Sequence, residues 1–236
     1  MGKNLIQQRR GKGSPTYRAP SFKYAGKAKH INYDDKVTGK ITDILHSSGH
    51  SAPLMKVSFE DGKETLLQAP EGIRVGDNIS IGDVTELRSG NVMALGNIPE
   101  GTAVYNIEQS PGDGGKFVRS SGTSAKVFSK SVDKVVVILP SSKKKEFRSD
   151  CKAVIGLIAG GGRTDKPVMK AGNKYHAMRA KNKLWPSVSG TSMNSVDHPF
   201  GGSSSGHKGR PTQASRHAPP GRKVGKIAPR RTGRRK

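Results

Sequence analysis

The formal charge of this 236-residue chain is +24, and the whole excess sits at its two ends. Residues 1–30 carry eight lysines and arginines and no acid; residues 166–236 carry seventeen against Asp197 alone; residues 31–165 carry seventeen of each sign. Dense like charge opposes collapse, so only the balanced centre can build a core. A neutral, foldable centre between two polycationic arms suits a polyanion whose surface is deep and irregular. Folded RNA is such a surface.

Composition narrows the classes further. With 32% apolar and 5% aromatic residues, the chain as a whole cannot close around one core, but its middle has enough material for one or two small domains. No apolar run exceeds Val135–Leu139, which leaves no candidate membrane span and no signal-peptide core near the basic N-terminus. A cytosolic protein with no membrane partner is expected. The one cysteine, Cys151, excludes an internal disulfide and a cysteine-rich zinc site and reads as a small buried hydrophobe.

Glycine, proline and spaced cations between Gln7 and Tyr24 argue against a regular element there, while Tyr17, Phe22 and Tyr24 interleave rings with charge. Such an arm can neutralise phosphates and stack on unpaired bases, or its rings can pack on the neighbouring domain. From Val37 short β segments begin. Met55, Val57 and Phe59 alternate with Lys56, Ser58 and Glu60, and Asp61-Gly62 is a pair that favours a type I′ hairpin turn into a strand Thr65–Ala69. Ile73, Val75, Ile79 and Ile81 continue the period of two around the Gly76-Asp77 turn. A second series, Val104–Glu108, Ala125–Ser129, Lys134–Leu139 and Ala153–Ile158, follows Pro99-Glu100-Gly101. Two small β-barrels in tandem are predicted, not a doubly wound α/β enzyme. The one helix expected is Lys170–Lys181, with Ala171, Tyr175 and Met178 on one side; beyond Trp185-Pro186 the chain reads as extended, with no core of its own.

Three motifs invite chemistry. Gly112-Asp113-Gly114-Gly115-Lys116 looks like a phosphate-binding loop, but Phe117 stands where a Ser or Thr is required. His46 and His50 are near neighbours without a cysteine or carboxylate partner at ligand spacing, so no metal is expected. Ser195-Val196-Asp197-His198 holds a hydroxyl, a carboxylate and an imidazole, yet sequence neighbours on an extended arm lack the rigid pocket of a catalytic triad.

Met193-Asn194-Ser195-Val196-Asp197-His198-Pro199-Phe200-Gly201-Gly202 resembles the signature of the universal large-subunit ribosomal protein two family. So do Gly96–Thr102, Ser121–Ala125 and Ala218–Gly225, in the family's order and over nearly the whole chain. The resemblance implies an OB-like barrel, an SH3-like barrel and terminal extensions threaded into large-subunit rRNA. It further implies a late-assembling protein that helps join the subunits, its C-terminal arm near the peptidyl-transferase region. The Arg163–Pro167 stretch resembles archaeal or eukaryotic members. Bacterial members have His-Pro-His followed by three glycines, whereas this chain has His198-Pro199-Phe200 and Gly201-Gly202-Ser203. Only the first family histidine carries over.

The expected architecture is therefore mainly β: a basic arm over 1–36, an OB-like barrel over 37–83, an SH3-like barrel over 84–165 and a basic region with a short helix and extended tail over 166–236. The expected function is that of a non-enzymatic, cofactor-free constituent of the large ribosomal subunit in the cytoplasm, with rRNA, other ribosomal proteins and the small subunit, at an inter-subunit bridge, as partners. RNA contact is assigned to Arg9, Arg10, Lys12, Arg18 and Lys23; to Lys170, Lys174, Arg179, Lys181, Lys183 and Trp185; to Asn194, Asp197 and His198; and to Lys208, Arg210, Arg216, Arg222, Lys223, Arg230 and Arg231. Tyr175 and Phe200 join Trp185 as candidate stacking rings. An architectural DNA-binding protein and a ribosome-associated enzyme using His198 are the alternatives.

Overall fold

Alternating apolar side chains build the centre of the chain into sheet. The computed structural model describes residues 4–33, 35–83, 86–202 and 206–230, which fall into two compact units: Ser21–Lys170, and the first twenty residues together with those from Ala171 onward. In the first unit ten strands follow one another: β1 (Val37–Leu45), β2 (Leu54–Phe59), β3 (Glu64–Gln68), β4 (Asn78–Ile81), β5 (Val92–Ala94), β6 (Ala103–Tyr105), β7 (Ala125–Lys130), β8 (Lys134–Ile138), β9 (Lys144–Arg148) and β10 (Lys152–Ile155). They pair in the order β3-β2-β1-β4-β5-β10-β6-β7-β8-β9 as one open sheet. Every pairing is antiparallel except β4 with β5, which meet at Ile81 and Val92. The fold is mainly β.

Two hydrophobic cores serve this sheet. One gathers Ile41, Met55, Val57, Leu67, Ile79 and Ile81, the other Met93, Leu95, Val127, Val135, Val137 and Phe147. The three central strands are divided between them residue by residue, because successive side chains leave opposite faces of a strand. Val92, Tyr105 and Val154 enter the first core, and their neighbours Met93, Val104, Ala153 and Ile155 the second. Strand β10 is consequently buried at all four positions. Each fully buried aliphatic side chain contributes about 1.5–3 kcal/mol. Cys151 lies in the second core, where burial pushes its thiol pKa up.

The hairpin β2–β3 forms in the expected register, Leu54 opposite Gln68 and Val57 opposite Thr65, but its turn is not type I′. Gly62 N–H donates to the Phe59 carbonyl at 3.0 Å, placing Glu60 and Asp61 at the corner, and only Gly62, at φ +78°, is left-handed. This is a type I turn closed by a glycine bulge. Ser142, at φ +62°, closes the β8–β9 hairpin in the same way, its N–H donating to the Leu139 carbonyl at 2.8 Å. Two other expectations shorten. Ile73–Val75 is not strand, and β6 stops at Tyr105, where Asn106 turns left-handed at φ +48°.

Neither sheet edge is left bare. Residues 28–29 lie along β3, with Lys29 N–H donating to the Leu66 carbonyl at 2.9 Å and Thr65 Oγ1 to the Lys29 carbonyl at 2.7 Å. The other edge, β9, carries Lys144, Lys145, Glu146 and Arg148, charges that discourage a foreign strand. The 28–33 segment is fastened at both ends. Arg119 Nη2 donates to the Ala28 carbonyl at 2.6 Å, and Lys152 Nζ donates to Asn32 Oδ1 at 2.8 Å and to the Tyr33 carbonyl.

Between these fastenings His30 is buried, and neither ring nitrogen makes a well-formed hydrogen bond. Burial, opposed by the Asn106 backbone and reinforced by the Arg119 and Lys152 charges, lowers its pKa to about 4. An unfolded histidine titrates near 6.5, so between about pH 6.5 and 4 the unfolded chain holds a proton that the folded one refuses. His30 thus contributes stability that is complete above about pH 6.5 and lost as pH falls towards 4, on the order of 3 kcal/mol. Urea unfolding at pH 7 and pH 4 checks this: His30→Leu should lose less stability on acidification than the wild type by about that amount. Equal losses would show that His30 is not the titrating group.

Candidate RNA-binding surface

The second unit concentrates the charge. Twenty of the chain's 42 lysines and arginines fall in it against one acid, Asp197, while the Ser21–Lys170 unit has the other 22 against 17 carboxylates. Short helices and strands give it shape. Residues Ile6–Gly11 form helix α1, which corrects the expectation that no regular element occurs near the N-terminus. The helix breakers begin only at Gly11; Gln8 Oε1 accepts the Leu5 N–H at 3.1 Å at the helix start, and Arg9 and Arg10 sit in the last turn, where cations suit the helix dipole. Helix α2 spans Ala171–Ala180, inside the expected Lys170–Lys181. Its end is a Schellman closure: Lys183 N–H donates to the Met178 carbonyl at 2.9 Å, Asn182 N–H to the Arg179 carbonyl at 3.1 Å, and Asn182 is left-handed at φ +49°.

The tail also departs from the expected extended chain. Strands β11 (Gln213–Ala214) and β12 (Lys226–Ile227) pair in parallel, and Phe200 and Ala214 are buried at 6% and 7% exposure. Phe200, expected as an exposed stacking ring, is instead a buried anchor with the His198 ring and Lys208 Nζ beside it. The signal was present in Phe200 as the one aromatic residue after Trp185, since a lone ring in a polar stretch is the natural nucleus of local packing.

That anchor fixes His198. The segment 193–202 folds back on itself: the Asn194 carbonyl accepts from the N–H groups of Asp197 and His198 at 2.9 and 3.2 Å, and Gly202 N–H closes onto the Met193 carbonyl at 3.0 Å. The imidazole lies 5.1 Å from the Phe200 ring, centre to centre, and its Nδ1 accepts the Phe200 N–H at 3.0 Å. Gly190 makes room for it, for a Cβ there would stand 2.4 Å from the ring. In a catalytic triad Nδ1–H donates a hydrogen bond to the carboxylate. Here Nδ1 is an acceptor, which leaves Nε2 as the ring's donor, and the half-buried His198 lines a groove. Arg9, Asn194, Asp197, His198 and Lys223 line a common groove of about 680 Å³.

The other assigned residues divide by exposure. Lys12, Arg18, Lys208, Arg210, Arg216 and Arg230 are exposed; Lys174 and Lys181 are half-buried; Lys23 and Lys170 are exposed on the Ser21–Lys170 unit. Arg222 is half-buried, with Nη1 out of solvent and without a protein acceptor. Arg231 lies outside the described residues. Of the N-terminal rings, Tyr24 packs edge-on against His50 at 6.1 Å, whereas Phe22 is 83% exposed with Lys23 Nζ 5.8 Å from its ring centre. Arg10, Arg179, Lys183 and Trp185 line a second cavity together with Tyr17 and Asn182. Asn182 follows the last helical turn, where an asparagine is a recognised stop signal.

The glycine-rich loop at 110–116 contains its own anions. Glu108 accepts from the N–H groups of Gly112, Gly114 and Lys152 at 3.2, 3.1 and 2.9 Å. Asp113 accepts from those of Gly115, Gln109 and Ser110 at 2.9, 3.1 and 3.3 Å. Burial pulls the Asp113 carboxyl up, but these amides outweigh it and hold the group below the usual carboxylate range. The amides that a phosphate would need are already taken. His50 is likewise engaged, its Nδ1 2.9 Å from Ser47 Oγ.

A cation-rich surface of this kind is of the class that suits polyanion-binding proteins. The family described as Ribosomal Proteins L2, C-terminal domain, matches residues 88–222. Relatives extend the likeness to the full length. The large ribosomal subunit protein uL2 of Archaeoglobus fulgidus is 55% identical over 99% of both chains, and that of Methanothermobacter thermautotrophicus is 52% identical over the whole of both. The chain belongs to the uL2 family of large-subunit ribosomal proteins.

Proposed function

We propose that this chain is a structural, non-enzymatic constituent of the large ribosomal subunit in the cytoplasm, binding large-subunit rRNA together with neighbouring ribosomal proteins. The observation that carries the reading is the segregation of charge onto a shaped unit, in a chain whose full-length relatives are named large ribosomal subunit proteins. Lysines and arginines there release counterions from crowded phosphates, and glycine and proline let the backbone pass between RNA helices. The basic segments 1–36 and 166–236 lie along rRNA, while 37–83 and 84–165 act as OB-like and SH3-like modules that anchor the protein. Two separate cores in the sheet support two modules, the first core drawing Val92, Tyr105, Val154 and Ile158 from the later segment as well. The segment 193–202 stands near the peptidyl-transferase region, where Asn194, Asp197 and the Nε2 of His198 hydrogen-bond to nucleotides, and the folded unit contributes to an inter-subunit bridge. Among the described residues no helix is long and apolar enough to cross a membrane.

Reconstitution of large subunits tests the whole reading. Omitting the protein should leave subunits that fail to join small subunits. His198→Gln, which keeps a hydrogen-bonding side chain of similar reach but cannot titrate near neutrality, should assemble. Single-turnover peptide-bond formation on such protein-complete subunits should fall less than about tenfold, or about 1.4 kcal/mol in barrier. A loss beyond roughly a thousandfold would make His198 a proton shuttle and overturn the scaffold reading.

A further inference from the structure

The cavity beside α2 is built unlike the rest of the basic unit. It encloses about 250 Å³ between the 3-10 turn Pro15–Tyr17 and the C-terminal end of the helix, smaller than the clefts of roughly 300–1,000 Å³ that take drug-sized ligands. Three rings (Tyr17, Tyr175 and Trp185) and three cations (Arg10, Arg179 and Lys183) line it, with no carboxylate among the lining residues. Its two walls are fastened to each other. Arg179 Nη1 donates to the Thr16 carbonyl at 3.0 Å, and Asn182 Nδ2 donates to the Tyr17 carbonyl. The left-handed Asn182 that stops the helix therefore also sets the width of the cavity.

Tyr175 is not serving a core, while Tyr17 and Trp185 stand half-buried along the cavity. Helix α2 buries none of its residues, and Tyr175 is 50% exposed. An aromatic face held open to solvent beside cations has one economical use in a polyanion-binding protein: a base stacks on the ring while its phosphate meets the charge. A duplex cannot offer this, since its bases are stacked inside. We propose that this cavity receives a single unpaired RNA nucleotide, the base lying against Tyr175 and Trp185 and the adjoining phosphates against Arg10 and Lys183. The assignment rests on the rRNA-binding reading above and adds a defined subsite to it. Arg179 is a positioning residue, because one of its donors already holds the wall at Thr16.

Trp185 is the only tryptophan in the chain, so its emission reports on this cavity alone. The full-length protein is titrated with single-stranded oligo(A) and oligo(U) hexamers, a duplex RNA of equal phosphate count and a hexaglutamate peptide, at an ionic strength of about 0.15 M. Saturable quenching by at least one of the single-stranded hexamers is expected, with little from the duplex or the peptide. Tyr175→Ala should weaken that hexamer at least about fivefold, whereas Tyr175→Phe, which keeps the ring, should stay within about twofold of wild type. Equal quenching by duplex or peptide, no saturable quenching by either hexamer, or a Tyr175→Ala affinity within twofold of wild type overturns the subsite. Filter binding of a structured large-subunit rRNA fragment separates the two levels. If the fragment binds wild type with a steep salt dependence but the subsite tests fail, only the cavity assignment is lost; if the fragment does not bind, the rRNA reading itself fails.

Discussion

Replacing Arg9, Lys12, Arg210, Arg216, Lys223 and Arg230 together with glutamine should flatten the log–log dependence of rRNA affinity on salt by about five units, close to 0.9 for each phosphate no longer neutralised. All six side chains are exposed on the basic unit, so their removal leaves the sheet and its two cores untouched. Neutralising six phosphates makes affinity fall roughly a thousandfold between about 50 and 200 mM salt, and that share of the fall should vanish from the variant. Filter binding to a large-subunit rRNA fragment across this range is the measurement. An unchanged slope would mean that these cations face solvent in the complex and that affinity comes from the Ser21–Lys170 unit.

Glu108→Ala should be the most destabilising single substitution of a polar residue in the sheet unit. The carboxylate is 1% exposed and collects three backbone donors. The Gly112 amide lies on an exposed residue and can turn to water, but the bonds from Gly114 and Lys152 are buried, and their donors would be stranded. An unsatisfied buried donor costs about 1–3 kcal/mol, and a hydrogen bond to a charged group contributes about 1.5–3. A total loss of about 3–5 kcal/mol follows, much of the stability of an ordinary domain. Glu108→Gln retains one acceptor oxygen and should recover roughly half. Urea midpoints of the three proteins decide it, and a loss under about 1 kcal/mol for Glu108→Ala would show that water reaches the loop.

What was legible in the sequence followed local chemistry. Hairpin β2–β3 announces itself because one face is polar and the turn carries Asp61-Gly62, and α2 is visible from its i, i+4, i+7 spacing. Strand β9 was not legible: Lys144-Lys145-Glu146-Phe147-Arg148 points only Phe147 into the core, and an edge strand made of charges has no period to read. The early end of β6 was hidden because a left-handed Asn106 leaves no mark in the pattern of apolar residues. The same limit held at the site. The stock of cations and rings could be counted, yet nothing in the residue order says that Arg10 and Arg179 share a cavity or that Phe200 turns inward beneath His198. The first depends on chain segments more than 160 positions apart, as with Arg179 and Thr16; the second depends on a local fold-back of the chain.

The division of β10 between two cores has a consequence for timing. A ribosome releases its products from the N-terminus onward, so β1 to β4 emerge while Val154 and Ile158, which complete their core, are still unmade. The second core also waits for Ala153 and Ile155. Neither half can settle before this one short strand arrives, and long-range closures of this kind are slow because the entropy of the intervening loop is lost first. During that interval the nascent chain exposes two half-built apolar faces while its cationic N-terminal segment is already free in a cell crowded with nucleic acid. The last four-residue strand of the sheet therefore sets how long the newborn protein needs shelter from the very polymer it is made to hold.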